Sequence, residues 1–351
     1  MSGLEFFVER IQAAVAARTP LRLRGAGSKD WYGSLLAGEV LETGGYSGLV
    51  AYAPEELCLT ARCGTPLTEI EDVLAERGQM LPFEPPHFGK ATFGGMLAAG
   101  LAGPRRQQAG GVRDAILGVR LVDGRGDVLN FGGQVVKNVA GYDVSRLTIG
   151  SLGTLGVLAE ASVRLLPRPA HEISLVFEED AAAALRRCQQ WGGHPWPISA
   201  TFWTAGRLTV RLSGVASAIA AARRVLGGEL LEDGVTFWHS VREQTHPAFA
   251  GRGALWRLAL PPATPPLYGE FAFEWGGGQR WLQSEAEPGV VRAAAAAAGG
   301  HAVLFRAPES LRCAEGTFAP LAPAMLALQR RLKKTFDPHG VFNPGRMYAE
   351  L

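Results

Sequence analysis

The run Arg24-Gly25-Ala26-Gly27-Ser28-Lys29 sets two glycines around an alanine and follows them with a hydroxyl. Glycines at this spacing free consecutive backbone N–H groups to point at one anion, and the serine adds a donor. A diphosphate suits such a loop. Taken alone, an ordinary tight turn explains the run better, because it is neither a Walker A loop nor a full G-x-G-x-x-G opening a helix.

Three further glycine clusters follow. In Thr92-Phe93-Gly94-Gly95-Met96, with Gly100 beyond, Thr92 is placed to cap a helix whose first turn carries no bulky side chain. Such a helix start is an anion site, although close packing of small residues accounts for the run equally well. The third cluster is Gly110-Gly111-Val112-Arg113-Asp114. The fourth runs through Lys137, Asn138, Gly141, Tyr142 and Asp143 to Gly153, Thr154, Gly156 and Val157. Glycine of this density between β-branched strands suits backbone laid against a flat ligand. Asp143 as a helix cap and Lys137 as a solvated charge are the plainer readings of those two residues.

The elements that would position these loops are legible from periodicity. Residues 4–17 repeat apolar positions at helical spacing and stop at Thr19-Pro20. A strand then leads into the first glycine loop. Two strands around Pro-Glu-Glu are expected within 48–62, an amphipathic helix over 67–77, and a hairpin around Asp123-Gly-Arg-Gly126 within 116–131. From about 171 to 310 strands and helices alternate, which predicts an α+β region with an antiparallel sheet. A last helix leads to the terminal FDPHGVFNPGRMY.

Composition bounds the rest. The 351 residues are 47% hydrophobic and 19% charged, as in a globular chain of two packed domains. A net charge of +2 gives no nucleic-acid surface. No signal peptide and no uncharged run of membrane-spanning length are read, so a cytoplasmic protein without direct membrane insertion is expected. Cys58, Cys63, Cys188 and Cys313 are spaced for neither zinc nor an iron–sulfur cluster and are expected as free thiols. The seven histidines form no HxH or HExxH arrangement.

In their order, the clusters resemble the PCMH-type FAD-binding fold of the vanillyl-alcohol oxidase superfamily. There, a GxGS/T loop and a later T-x-G-G segment grip the diphosphate, and a G-x-x-G-T-L-G-V/I segment lines the flavin. The resemblance spans about residues 18–170. VVKNVAGYDVSRL, GSLGTLGVLAE and FDPHGVFNPGRMY are similar to glycolate oxidase-type FAD-linked subunits. The short chain, with GHAVLFRAP and AGYD, most resembles their E-subunit family.

The resemblance implies an α+β architecture: a PCMH-type FAD-binding domain of two subdomains over 1–170, a smaller α/β cap domain with an antiparallel sheet over 171–315, and a segment over 316–351 returning to the FAD domain. It implies non-covalent FAD held by the residues named in the four clusters, with Asn343 turned towards the isoalloxazine ring. It also implies partners: a larger FAD-linked subunit oxidising glycolate to glyoxylate, and an iron–sulfur subunit carrying electrons to a quinone. The H-x-G-D-G-N-x-H segment of relatives that oxidise 2-hydroxy acids is missing, so no catalytic residue and no metal ligand is assigned. A self-sufficient FAD oxidoreductase and a flavin-free scaffold remain the alternatives.

Overall fold

The computed structural model describes residues 3–133 and 143–351. The chain divides into two compact units. The first comprises Met1–Leu101, Gly111–Pro167 and Glu309–Leu351; the second comprises Ala102–Gly110 and Arg168–Pro308.

The first unit opens with helix α1 (Leu4–Ala17), which buries Phe7, Ile11 and Ala14 along one face and ends where Arg18 turns left-handed at φ 53 ahead of Pro20. Strand β1 (Leu21–Arg24) pairs in parallel with β2 (Glu39–Glu42). On its other side β1 is held by the chain's end, Leu21 N–H donating to Val341 O at 2.6 Å and Asn343 N–H to Leu21 O at 2.9 Å. β1 alternates an apolar row, the buried Leu21 and the half-buried Leu23, with a row of arginines, Arg22 and Arg24.

β3 (Leu49–Ala53) and β4 (Cys58–Arg62) start an antiparallel sheet. The hairpin β6 (Ile116–Val122) and β7 (Val128–Gly132) and the long β8 (Val157–Arg164) complete it in the order β3-β4-β8-β6-β7. A short pair, β5 (Gln79–Met80) with β9 (Leu166–Pro167), lies apart. Helix α2 (Leu67–Glu76) buries Leu67, Ile70 and Leu74, and the glycine-rich helix α3 (Phe93–Ala99) follows it. One core joins Phe7, Ile11, Leu21, Leu41, Val122, Val157, Val341 and Phe342, so chain start, sheet and chain end fold as one body.

The second unit is an eight-stranded antiparallel sheet. Its strands are β10 (His171–Glu178), β11 (Ile198–Thr204), β12 (Arg207–Gly214), β13 (Glu229–Leu230), β14 (Ala254–Ala259), β15 (Glu270–Glu274), β16 (Gln279–Ser284) and β17 (His301–Arg306), in the order β13-β10-β12-β11-β15-β16-β14-β17. The helices Ala181–Gly192 and Ala216–Leu226 cover one face and seal a core around Leu175, Leu185, Val210, Ala222 and Phe273.

Candidate functional site

Within the first unit, the end of β1, the glycine loop that follows it and the start of α3 enclose a cavity. Its walls include Arg22, Arg24, Gly25, Ala26, Gly27, Ser28, Lys29, Asp30, Thr92, Gly95, Leu152, Asn343 and Arg346.

The loop is shaped for an anion. Among the described residues, no protein acceptor meets the backbone N–H groups of Gly25, Ala26, Gly27 and Ser28. Gly27 is left-handed at φ +75. Gly25 is packed so closely that a Cβ there would stand 2.3 Å from the Thr92 hydroxyl. Thr92 caps α3, its Oγ1 accepting from Gly95 N–H at 3.2 Å. The lining carries the cations Arg22, Arg24, Lys29 and Arg346 against the carboxylate of Asp30, a formal excess of three positive charges. The Nε of Arg22 is buried and, among the described residues, has no hydrogen-bond partner. A buried donor left unpaired costs about 1–3 kcal/mol, so this wall is short of acceptors. Free amides, an orphaned guanidinium N–H and excess positive charge together fit a diphosphate dianion.

Arg346 shapes the far side of the loop. It is buried, and its guanidinium donates to the carbonyls of Lys29 (3.3 Å), Asp30 (2.8 Å), Tyr32 and Ser34 (3.1 Å), with no carboxylate among its hydrogen-bond partners in the described residues. Burial first, then the neighbouring Arg312, pushes its pKa down to about 10. Asn343 bridges two elements: its Oδ1 accepts from Leu23 N–H at 2.8 Å and its Nδ2 donates to Leu152 O at 2.6 Å.

The cavity gathers Arg24, Gly25, Ala26, Gly27, Ser28, Lys29, Thr92, Gly95 and Asn343 from the residues singled out in the sequence. One expected role changes. The N–H groups of Gly94 and Gly95 are not spare donors for an anion, because they already serve Cys63 O (2.7 Å) and Thr92 Oγ1 (3.2 Å).

The remaining candidates sit in packing or capping positions. A Cβ on Gly94 would meet that of Cys63 at 2.6 Å, and Gly100 turns left-handed at φ +63 against Gly150 to close α3. Gly111 donates to Asp114 Oδ2 at 2.8 Å at a helix start, and Arg113 reaches Ile149 O at 3.5 Å. Asp143 caps the helix Val144–Thr148 through Arg146 N–H at 3.2 Å, which is its plainer reading. Gly153 abuts Asn343, Gly156 abuts Val122 O, and Thr154 and Val157 are buried. Lys137, Asn138, Gly141 and Tyr142 lie outside the described residues.

Arg22, Asp30, Leu152 and Arg346 complete the site without having been singled out from the sequence. Arg346 lies in the same terminal motif as Asn343, and that proximity was the available signal. The pair Arg22 and Arg24, two apart on one strand, was the other.

Comparison with known proteins decides the family. Residues 5–132 match the FAD binding domain family, and residues 320–347 match the C-terminal domain of FAD linked oxidases. The chain is 47% identical over 347 residues to the glycolate oxidase subunit GlcE of Escherichia coli strain K12, covering 98% of this chain and 97% of that protein. The chain belongs to the GlcE family of glycolate oxidase subunits. It is thus an FAD-dependent oxidoreductase subunit with FAD as cofactor.

The glycolate oxidase subunit GlcD of Bacillus subtilis strain 168 is 32% identical over 171 residues, which span 48% of this chain and 36% of that protein. Two solved structures share the fold at low identity. A 4-ethylphenol oxidase from Gulosibacter chungangensis has a TM-score of 0.72 at 13% identity, covering 99% of this chain and 88% of its own. An alkyldihydroxyacetonephosphate synthase has a TM-score of 0.62 at 16% identity, covering 98% and 75%. The α+β fold expected from the glycine clusters is the fold that both structures share with this chain.

Other reactive groups stand apart from this chemistry. Burial pushes the thiol of Cys63 up, and the thiol of Cys188 up to about 12, which disfavours the reactive thiolate at both. Among the described residues no group of three His, Cys, Asp or Glu is arranged to hold a metal, and no helix is long and apolar enough to cross a membrane.

Proposed function

We propose that this chain is the GlcE-type FAD subunit of a glycolate-oxidising complex. In that complex a larger flavin subunit removes two electrons and two protons from glycolate, giving glyoxylate. The electrons pass through an iron–sulfur subunit to a quinone. The complex works in the cytoplasm or on a membrane reached through its partner subunits. The observation that carries this reading is the anion cradle at Gly25–Ser28 in a chain nearly half identical, end to end, to GlcE.

In the first unit, we assign the diphosphate of FAD to the amides of Gly25–Ser28, with Arg22 and Arg24 beside them. When bound, FAD supplies the hydride and electron chemistry. The chain's residues bind and orient it. Substrate oxidation is given to the partner because the sequence lacks H-x-G-D-G-N-x-H, and a 2-hydroxyl needs a positioned base.

The test is co-expression with the candidate flavin and iron–sulfur subunits, followed by size-exclusion chromatography and glycolate-dependent dye reduction. Co-elution, with dye reduction only by the assembled complex, supports the reading. Glycolate oxidation by the isolated chain, or a chain that stays apart from both partners, contradicts it.

A further inference from the structure

We propose that Asp30 is a built-in stand-in for the ligand's diphosphate: it holds Arg22 and Arg24 at the wall of the cradle and releases them when FAD binds. This rests on the reading of the cavity as the FAD diphosphate site.

A single oxygen, Oδ2 of Asp30, takes both guanidinium groups. Arg22 Nη2 donates to it in a short contact, and Arg24 Nε donates at 3.2 Å. The arginines stand two residues apart on β1 and so project on one side of it. Asp30 rides on the turn that closes the glycine loop, its N–H donating to Gly27 O at 3.1 Å. The Arg24 guanidinium runs along that loop, and a Cβ on Gly27 would lie 2.6 Å from its Nη2. Carboxylate and arginines thus line the same cavity as the free amides.

The latch is incomplete. Arg24 has a second acceptor, its Nη1 donating to the exposed Glu42 Oε1 at 3.3 Å, but for Arg22 one shared carboxylate oxygen is not enough: among the described residues its buried Nε has no partner. A diphosphate, with more oxygens and twice the charge, is the better acceptor. The latch is also openable. The side chains of Arg22, Arg24 and Asp30 are 22%, 38% and 33% exposed. Ion pairs with that much access to water are weak and exchange readily, unlike fully buried ones. Asp30 would then keep the loop formed before FAD arrives, at the expense of competing with it.

The test is FAD binding to flavin-stripped protein, followed by flavin fluorescence at low and high salt, with a thermal melt of each apo variant. Asp30→Asn is expected to tighten FAD about tenfold at low salt, a gain that fades near 1 M salt. Arg22→Gln with Arg24→Gln is expected to weaken FAD. Adding Asp30→Asn to that pair should bring no gain, because there is then no arginine to release. Adenosine diphosphate, used as competitor, should show the same pattern without the flavin ring.

If Asp30→Asn weakens FAD or leaves it unchanged, Asp30 is a strut of the loop and the proposal falls. If its gain persists without the arginines, the effect is general charge and the proposal falls. A parent protein that binds neither FAD nor adenosine diphosphate overturns the cradle reading itself.

Discussion

Gly25 and Thr92 meet so closely that a single added carbon on Gly25 would stand 2.3 Å from the Thr92 hydroxyl, the group that caps α3. The cradle loop and the glycine-rich helix are therefore fitted to each other. Gly25→Ala must displace the cap, which costs about 1 kcal/mol in stability, and it reshapes the loop as well. Gly27→Asp keeps the cap but sets a carboxylate among the free amides at a position with φ +75. The expected outcome is that Gly27→Asp purifies folded and without flavin, read as the ratio of flavin to protein absorbance. A full complement of FAD in Gly27→Asp contradicts the diphosphate assignment.

Asn343 ties β1 to the loop at Leu152 with both ends of its amide. Asn343→Ala strands the half-buried Leu23 N–H and is expected to cost about 1–3 kcal/mol in urea unfolding. Asn343→Asp keeps an acceptor for Leu23 but turns an oxygen on Leu152 O, so it should recover less than half of that loss. Full recovery would mean that the bond to Leu152 contributes nothing.

The ion pair Lys333–Asp337 fastens the chain's end. Lys333 Nζ donates to Asp337 Oδ2 (2.8 Å), Thr154 O (2.8 Å) and Phe342 O (2.7 Å), while Asp337 accepts from the N–H groups of Val341 (3.0 Å) and Phe342 (2.8 Å). Burial lowers the Lys333 pKa, opposed by Asp337. Lys333→Met leaves a buried carboxylate without its counter-ion. Losses of about 3–5 kcal/mol are expected for such a break. Because the segment carries Asn343 and Arg346 to the cradle, flavin retention should fall together with the melting temperature.

Glu274 gives the second unit a pH dependence. Its carboxyl is buried on β15 and accepts from Trp281 Nε1 (2.8 Å) and Gln279 Nε2 (2.9 Å). Burial pushes its pKa up to about 7, and those donors only partly oppose the rise. The folded protein then holds a proton that the unfolded chain has lost, so stability falls as pH rises from the ordinary carboxylate range to about 7 and levels off above. Glu274→Gln should flatten that slope and raise the melting temperature at pH 8, relative to the parent, by a few degrees. An unchanged slope contradicts the assignment.

The fold was legible because its evidence is local. The apolar spacing of α1 and α2, the Asp-Gly turn between β6 and β7, and Thr92 before its glycines each act within a few residues. The division of the glycines was not legible. Gly27 faces the cavity while Gly94 backs onto Cys63 and Gly153 onto Asn343, and such partners are set by tertiary packing. Arg22 and Arg346 were hidden for the same reason. Each reads as a surface charge until β1 and the chain's end are placed side by side, more than 300 residues apart in sequence.

The most direct measurement is the visible absorbance spectrum of the purified chain, taken anaerobically before and after glycolate. An oxidised flavin band is expected, present as isolated or restored by added FAD, that glycolate leaves unbleached until the partner subunits are supplied. A chain that takes up no flavin would contradict the cradle, and a band that glycolate bleaches in the isolated chain would contradict its place as the accessory flavin subunit.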